Sequence, residues 1–356
     1  MAHEELPPIN ITPGAIRFNT DSMKLEYFRI GMEGGSTSSY AGIGTMAAGE
    51  WVQITTDTPD IHTGGTRGIF AGGGPSAVDT INYINVDTTG NALDFGDLLN
   101  DSKEGCGLAS RTRGVFVLGQ SPANSDTIEM LTIASTGSVE DFGNLHTGNA
   151  RVTDACSNQT RGLFAGQEDP SRTNVIRYIS IAEKGDTLDF GDLIANKGFG
   201  AGCSSSTRGV FAGGRDPGGT SLKPIEFVTI STLGNAADFG DLTAITVALS
   251  GGSNSIRGIF GGGATPGYSN KIDYITIATL GDALDFGDLT EPRNPRATSS
   301  STRVAFGAGY DPSPGAVTNI IDYIQIMSLG DAVDFGDLLY SIQNGSACSN
   351  GHGGLG

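Results

Sequence analysis

The phrase LDFGDLT, Leu284 to Thr290, recurs in near-copy at five other places in the chain. A second phrase, TRG-x-F, keeps step with it. Its arginine, or the arginine standing in its place, is Arg67, Arg113, Arg161, Arg208, Arg257 and Arg303, at intervals of 46, 48, 47, 49 and 46 residues by subtraction. Self-similarity at a fixed period constrains a fold more than any single motif, and a period of roughly 40 to 50 residues is that of a four-stranded propeller blade.

Each unit reads as four strands: a small polar stretch such as DACSNQ, an apolar strand ending in glycine such as RGLFAG, an alternating strand such as IDYITI, and LDFGDL. In IDYITI, Ile272, Tyr274 and Thr276 point one way and Asp273, Ile275 and Ile277 the other, the period of two of a strand. The phenylalanines of the last strand, Phe95, Phe142, Phe190, Phe239, Phe286 and Phe335, are expected to wedge between neighbouring sheets, with the glycine beside each letting the backbones approach. Asp97, Asn144, Asp192, Asp241, Asp288 and Asp337 close the phrase. They are expected to pair with a repeated arginine or cap a turn, the alternative being a ring of cation sites, for which one acid per blade is few ligands.

The first unit opens at Thr66 without its polar strand, whereas Ala347-Cys348-Ser349-Asn350 repeats Ala155-Cys156-Ser157-Asn158. A strand within Gly345 to Asn350 is therefore expected to complete the first blade and close six blades into a ring, which removes open edges between its ends. Cys156, Cys203 and Cys348 hold the same place in their units, where Gly252 and Thr298 stand in others. Small residues on the innermost strands, free and buried, are the simplest reading of these cysteines, with a disulfide or metal site as the alternative.

Composition agrees with many short strands and tight turns, since 55 residues are glycine. A net charge of −18 argues against a nucleic-acid partner and against anionic membranes. No apolar run approaches the length of a membrane-spanning helix, and the start MAHEELPPIN lacks the features of a secretory signal. A product made soluble in a cytoplasm is expected.

In an antiparallel meander, the first and third turns of every blade share one end face and the second turns and blade-to-blade links share the other. The first set is short and nearly constant; the second varies, as in QEDPSRTN, RDPGGTSLKP, ATPGYSNK and YDPSPGAVTN. Individual chemistry on a ring of copies belongs where the copies differ. The candidate binding residues there are Arg172, Arg215, Asp216, Tyr268, Tyr310 and Asp311, types suited to sugar or protein contacts. The plainer reading is solvated loop tips. Histidines are only His3, His62, His146 and His352, none at a metal-ligand spacing, and no P-loop, G-x-S-x-G or H-E-x-x-H occurs. No catalytic residue, metal or cofactor is nominated.

The glycine pairs closing the second strand, as in IFAGGG, VFAGGR and IFGGGA, resemble the kelch type of repeat over about residues 61–356. The chain departs from kelch in using the LDFGDL phenylalanine where kelch has a tryptophan.

Residues 1–60 differ in kind. Ala15 to Phe18 and Met23 to Ile30 alternate about the polar turn Asn19-Thr20-Asp21-Ser22, predicting a hairpin, with Glu50 to Ile54 as a third strand. So small a sheet needs something to pack on. The phrase GAIRFNTDSMKLEYF followed by GEWVQI resembles, over about residues 11–54, a module of tail-fibre and other virion proteins of tailed bacteriophages, apart from an insertion from Gly31 to Gly49. Phe18, Tyr27 and Trp51 carry that resemblance and also suit a mini-core.

The resemblance implies a virion protein assembled in the host cytoplasm and present in several copies, with homo-oligomerisation open. Residues 1–60 would anchor it to other virion proteins, or join copies to one another, and the propeller would bind a host glycan or protein. The alternatives are a purely structural decoration protein of capsid or tail and, least favoured, a carbohydrate-active enzyme.

Overall fold

The computed structural model describes residues 15–19, 24–30, 49–53, 65–121, 123–137, 139–145, 151–168, 171–264, 266–313 and 315–355. The chain divides into two compact units, Met1–Asp60 and Ile61–Gly356. In the first, strands Ile16–Asn19, Lys24–Ile30 and Gly49–Gln53 form an antiparallel sheet in chain order, with Ile16 opposite Tyr27 and Phe28 opposite Trp51. The strands fall where alternation places them; most of the turn after Asn19, and the side chains of Phe18, Tyr27 and Trp51, lie outside the described residues.

The second unit is a six-bladed β-propeller. Each blade is a four-stranded antiparallel sheet whose strands follow one another from the axis outward. Blade 1 is the exception in chain order, because its innermost strand is Ser346–Ser349, paired with Arg67–Ala71. The predicted closure is therefore observed, and Asn350 secures it by accepting the Arg67 amide at 3.0 Å on its side chain.

The innermost strands are Ser346–Ser349, Cys106–Ala109, Asp154–Ser157, Ala201–Ser204, Ser250–Ser253 and Arg296–Ser299 in blades 1 to 6. Their second residue is glycine or alanine throughout, which lets six backbones crowd the axis: a Cβ on Gly202 would stand 2.2 Å from the Ala155 carbonyl oxygen of the preceding blade. Serine in the fourth position joins them. Ser157, Ser204 and Ser253 donate to the carbonyls of Ala109, Ser157 and Ser204 at 2.7–2.8 Å. All four cysteines are free and buried, and burial pushes their thiols up, away from reactive thiolate.

The repeated phrase is the joint between blades. Phe286 is 3 % exposed, wedged beside Tyr274 of its own blade at 5.9 Å in an edge-on stack. Its carbonyl accepts the Gly330 amide of blade 6 at 3.0 Å, the Asp288 carbonyl accepts the Ala332 amide at 2.7 Å, and the Asp288 amide donates to the Asp331 carboxylate at 3.0 Å. Four other joints repeat this set of three, among them the one that joins blade 6 to blade 1 through Gly90, Asn91 and Ala92. Each outer strand would otherwise offer a free edge; the third turn of the next blade covers it. Between Phe286 and Asp288, Gly287 has φ +150°, and a Cβ there would lie 2.4 Å from the Gly330 oxygen, so the expected role of this glycine holds.

The expected pairing of these acids with the arginines does not. Arg257 donates to the Ile326 carbonyl of the next blade at 3.0 Å, and Arg67, Arg113, Arg161, Arg208 and Arg303 reach the corresponding carbonyls. In five blades the guanidinium also lies 4.5–4.8 Å from the ring centre of a tyrosine or phenylalanine on the third strand. A flat cation satisfies both partners at once, and a backbone carbonyl is available at that place whatever the residue.

A second joint went unread in the sequence. Glu129, Glu226, Asp273 and Asp322, on third strands, accept the backbone amides of Leu99, Ile194, Thr243 and Thr290 in or just after the outer strand of the preceding blade, at 2.6–3.1 Å, and Asn82 does the same for Leu339 at 3.2 Å. These side chains are buried. Each satisfies an amide that would otherwise be left without a partner.

Candidate functional site

The two end faces of the ring differ in construction. The face of the first and third turns holds the arginine stacks and the joints, and the segment Gly351 to Leu355 crosses the axis there. His352 lies under it, its Nε2 2.9 Å from the Ala109 carbonyl and its Nδ1 accepting the Gly354 amide at 3.1 Å. That pair of contacts selects the neutral Nε2–H tautomer. Burial holds its pKa down to about 4. Arg111 adds a hydrogen bond to the Leu355 carbonyl.

This face is constant in backbone but not in chemistry. The third-turn tips of blades 4 to 6 carry Leu233, Leu280 and Leu329, each 58–59 % exposed, where blades 1 to 3 place Thr89, Thr136 and Lys184.

Along the axis, behind His352, the inner strands enclose a cavity of about 60 Å³, and a second of about 50 Å³ lies toward the opposite face. Such spaces admit a few waters or one small ion. A sugar does not fit the axis, so a larger ligand must meet the loops.

On the variable face the predicted residues form two separate groups. At blades 3 and 4, the Arg172 guanidinium is held by both oxygens of Glu168, with Nε at 2.6 Å, and Nη1 donates to the Asp216 carbonyl at 3.0 Å. Asp216 turns its carboxylate inward to accept the Thr220 amide at 2.8 Å, and Arg215 exchanges backbone hydrogen bonds with Gly198. These three residues organise their own loops and stitch one blade to the next, and none of them is a fully solvated loop tip.

At blades 5 and 6 the arrangement is different. Tyr268 lies against Tyr310 with ring centres 5.4 Å apart and planes inclined by 40°, and Tyr268 remains 36 % exposed. Tyr310 is placed from beneath, its amide donating to Asn294 Oδ1 at 2.8 Å. Next to it Asp311 is buried and accepts the Ser313 amide at 2.7 Å. Burial and then a hydrogen bond to the Asp311 carboxyl raise the pKa of Glu291. The floor is Arg293, fully buried, which pairs with Asp322 at 2.8 Å and donates to the Ala308 and Phe306 carbonyls.

Tyr268, Tyr310 and Asp311 thus come together; Arg172, Arg215 and Asp216 stand apart from them. Glu291 and Arg293 were not singled out in the sequence. The signal was there, since EPRNPR has no counterpart in the other blade-to-blade links.

Among the described residues no cluster of three or more His, Cys, Asp or Glu is arranged to hold a metal ion. No protein-family model matches this sequence, and no curated protein is similar to it.

Proposed function

We propose that the chain is a non-enzymatic virion protein of a tailed phage, with a propeller of kelch-like repeats that binds a host-surface glycan or protein through its variable face. Residues 1–60 attach it to other virion proteins. The observation that carries the binding reading is the Tyr268–Tyr310 pair: an exposed aromatic ledge spanning two blades, with Glu291 and Asp311 beside it, on the face where the repeats diverge. Stacked tyrosines give contact area at little entropic cost, and the half-buried Glu291 beside them can accept hydrogen bonds from sugar hydroxyls or lysines. Several copies on one particle multiply weak contacts. The phage assignment rests on the order of residues in GAIRFNTDSMKLEYF and GEWVQI.

One observation favours a second reading, a decoration protein without receptor binding: the exposed Leu233, Leu280 and Leu329 offer an apolar surface on the other face.

The test is adsorption of particles carrying Tyr268→Ala with Tyr310→Ala. A receptor face loses at least about tenfold in adsorption, whereas a decoration protein leaves adsorption unchanged. Copy number per purified particle separates the readings again: a tail symmetry number supports the first, hundreds support the second, and absence from the particle removes both.

A further inference from the structure

The first position of the six innermost strands, at the variable-face end of the axis, is where those strands differ most in charge. Around the ring it is Ser346, Cys106, Asp154, Ala201, Ser250 and Arg296. Arg296 therefore sits in blade 6 between two serines, Ser250 of blade 5 and Ser346 of blade 1, and all three line the cavity of about 50 Å³. Its Nε donates to the Gly345 carbonyl. Its two Nη groups have no acceptor among the described residues, and no described carboxylate reaches salt-bridge distance.

The serines are equally unmatched. Ser250 is 7 % and Ser346 5 % exposed, yet neither hydroxyl bonds to a described protein group, although both border the cavity. No neighbouring titratable group among the described residues contacts the guanidinium. Glu104 is paired with Arg151, Cys106 is a buried thiol, and Asp154, fully buried on the blade opposite, takes a hydrogen bond from Thr153 at 2.8 Å on one oxygen and has no partner among the described residues on the other. A half-buried guanidinium with no described carboxylate at contact distance thus turns its Nη groups toward the cavity, beside two hydroxyls that have no acceptor among the described residues.

We propose that this end of the axial channel is a site for a small monoanion, a halide or a carboxylate group, held by the Arg296 guanidinium and the hydroxyls of Ser250 and Ser346. The volume admits one such group and little else. A planar carboxylate matches the fork of the guanidinium, and the mouth opens among the variable loops, so the carboxylate of a larger molecule has a way in. The site stands whether or not the loop face binds a host receptor.

The experiment uses the full chain in a buffer of bulky anions, titrated separately with chloride, followed by chlorine NMR line width, and with acetate, followed by calorimetry. Saturable binding of one equivalent is expected, with sulfate much weaker because a doubly charged tetrahedral ion fits a cavity of about 50 Å³ poorly. Saturation by chloride alone identifies a halide site; saturation by acetate identifies a carboxylate site. Arg296→Gln should abolish binding. Because that change also removes the contact to Gly345, Ser250→Ala with Ser346→Ala is the second variant, expected to weaken binding about tenfold with unfolding unaltered. Unsaturable binding of both anions to the native chain, or affinity unchanged in the serine variant, overturns the proposal.

Discussion

Arg257 lies over Tyr274, its guanidinium carbon 4.6 Å from the ring centre, and from there reaches the Ile326 carbonyl of the next blade at 3.0 Å. One side chain thus links the aromatic stack of its own blade to the backbone of its neighbour. Arg257→Met keeps most of the apolar stem but loses both contacts. We expect a loss of about 2–4 kcal/mol, read as a lower urea midpoint with an unchanged slope. Arg257→Lys should recover part of it, since an ammonium stacks less well.

Two glycines separate backbone strain from close approach. Gly281 has φ +147° and open space about it, whereas Gly287 has φ +150° and the Gly330 oxygen 2.4 Å from where a Cβ would stand. Both alanine variants bear the conformational cost of about 1–3 kcal/mol. Gly287→Ala should lose at least about 1 kcal/mol more, because its Cβ must push the joint apart. Equal losses in thermal unfolding would show that the joint yields freely.

His352 should make the propeller sensitive to acid. Its folded pKa is lowered to about 4 from an ordinary 6.5, so its contribution is fully present above pH 6.5 and is lost as pH falls toward 4. The span corresponds to about 3 kcal/mol at most. His352→Gln retains a donor for the Ala109 carbonyl and does not titrate. Its stability, measured by denaturant unfolding across this range, should fall less than that of the native chain.

Asp154 carries the opposite sign. Burial raises its folded pKa to about 6 from an ordinary 3.8. The folded state therefore favours the protonated acid, and stability declines as pH rises from about 4 through 6. Asp154→Asn keeps an acceptor for Thr153 and should be more stable than the native chain at pH 7, by about 3 kcal/mol at most, with the advantage gone below pH 4.

The fold was legible because every joint uses the same residues. A wedge such as Phe286 and a glycine such as Gly287 are required six times, so repetition exposes them. The partner of Arg257 was not legible, since a backbone carbonyl leaves no trace in a sequence. Nor were the buried acids Glu226 and Asp273: alternation assigns them to one side of a strand without telling that this side faces another blade. At the candidate site, the tyrosines were found as departures from the repeat. Arg296 was equally a departure, as the last residue of the divergent link EPRNPR.

Strand Ser346–Ser349 has a further consequence, for the order in which the molecule is made. Blades 2 to 6 each consist of consecutive strands and can form as they leave the ribosome. Blade 1 must wait, its Arg67–Ala71 edge open, until the last of the six inner strands has emerged. During synthesis that edge is a template for strands of other chains, and early capture of the first blade by a neighbouring copy is the misassembly this topology invites.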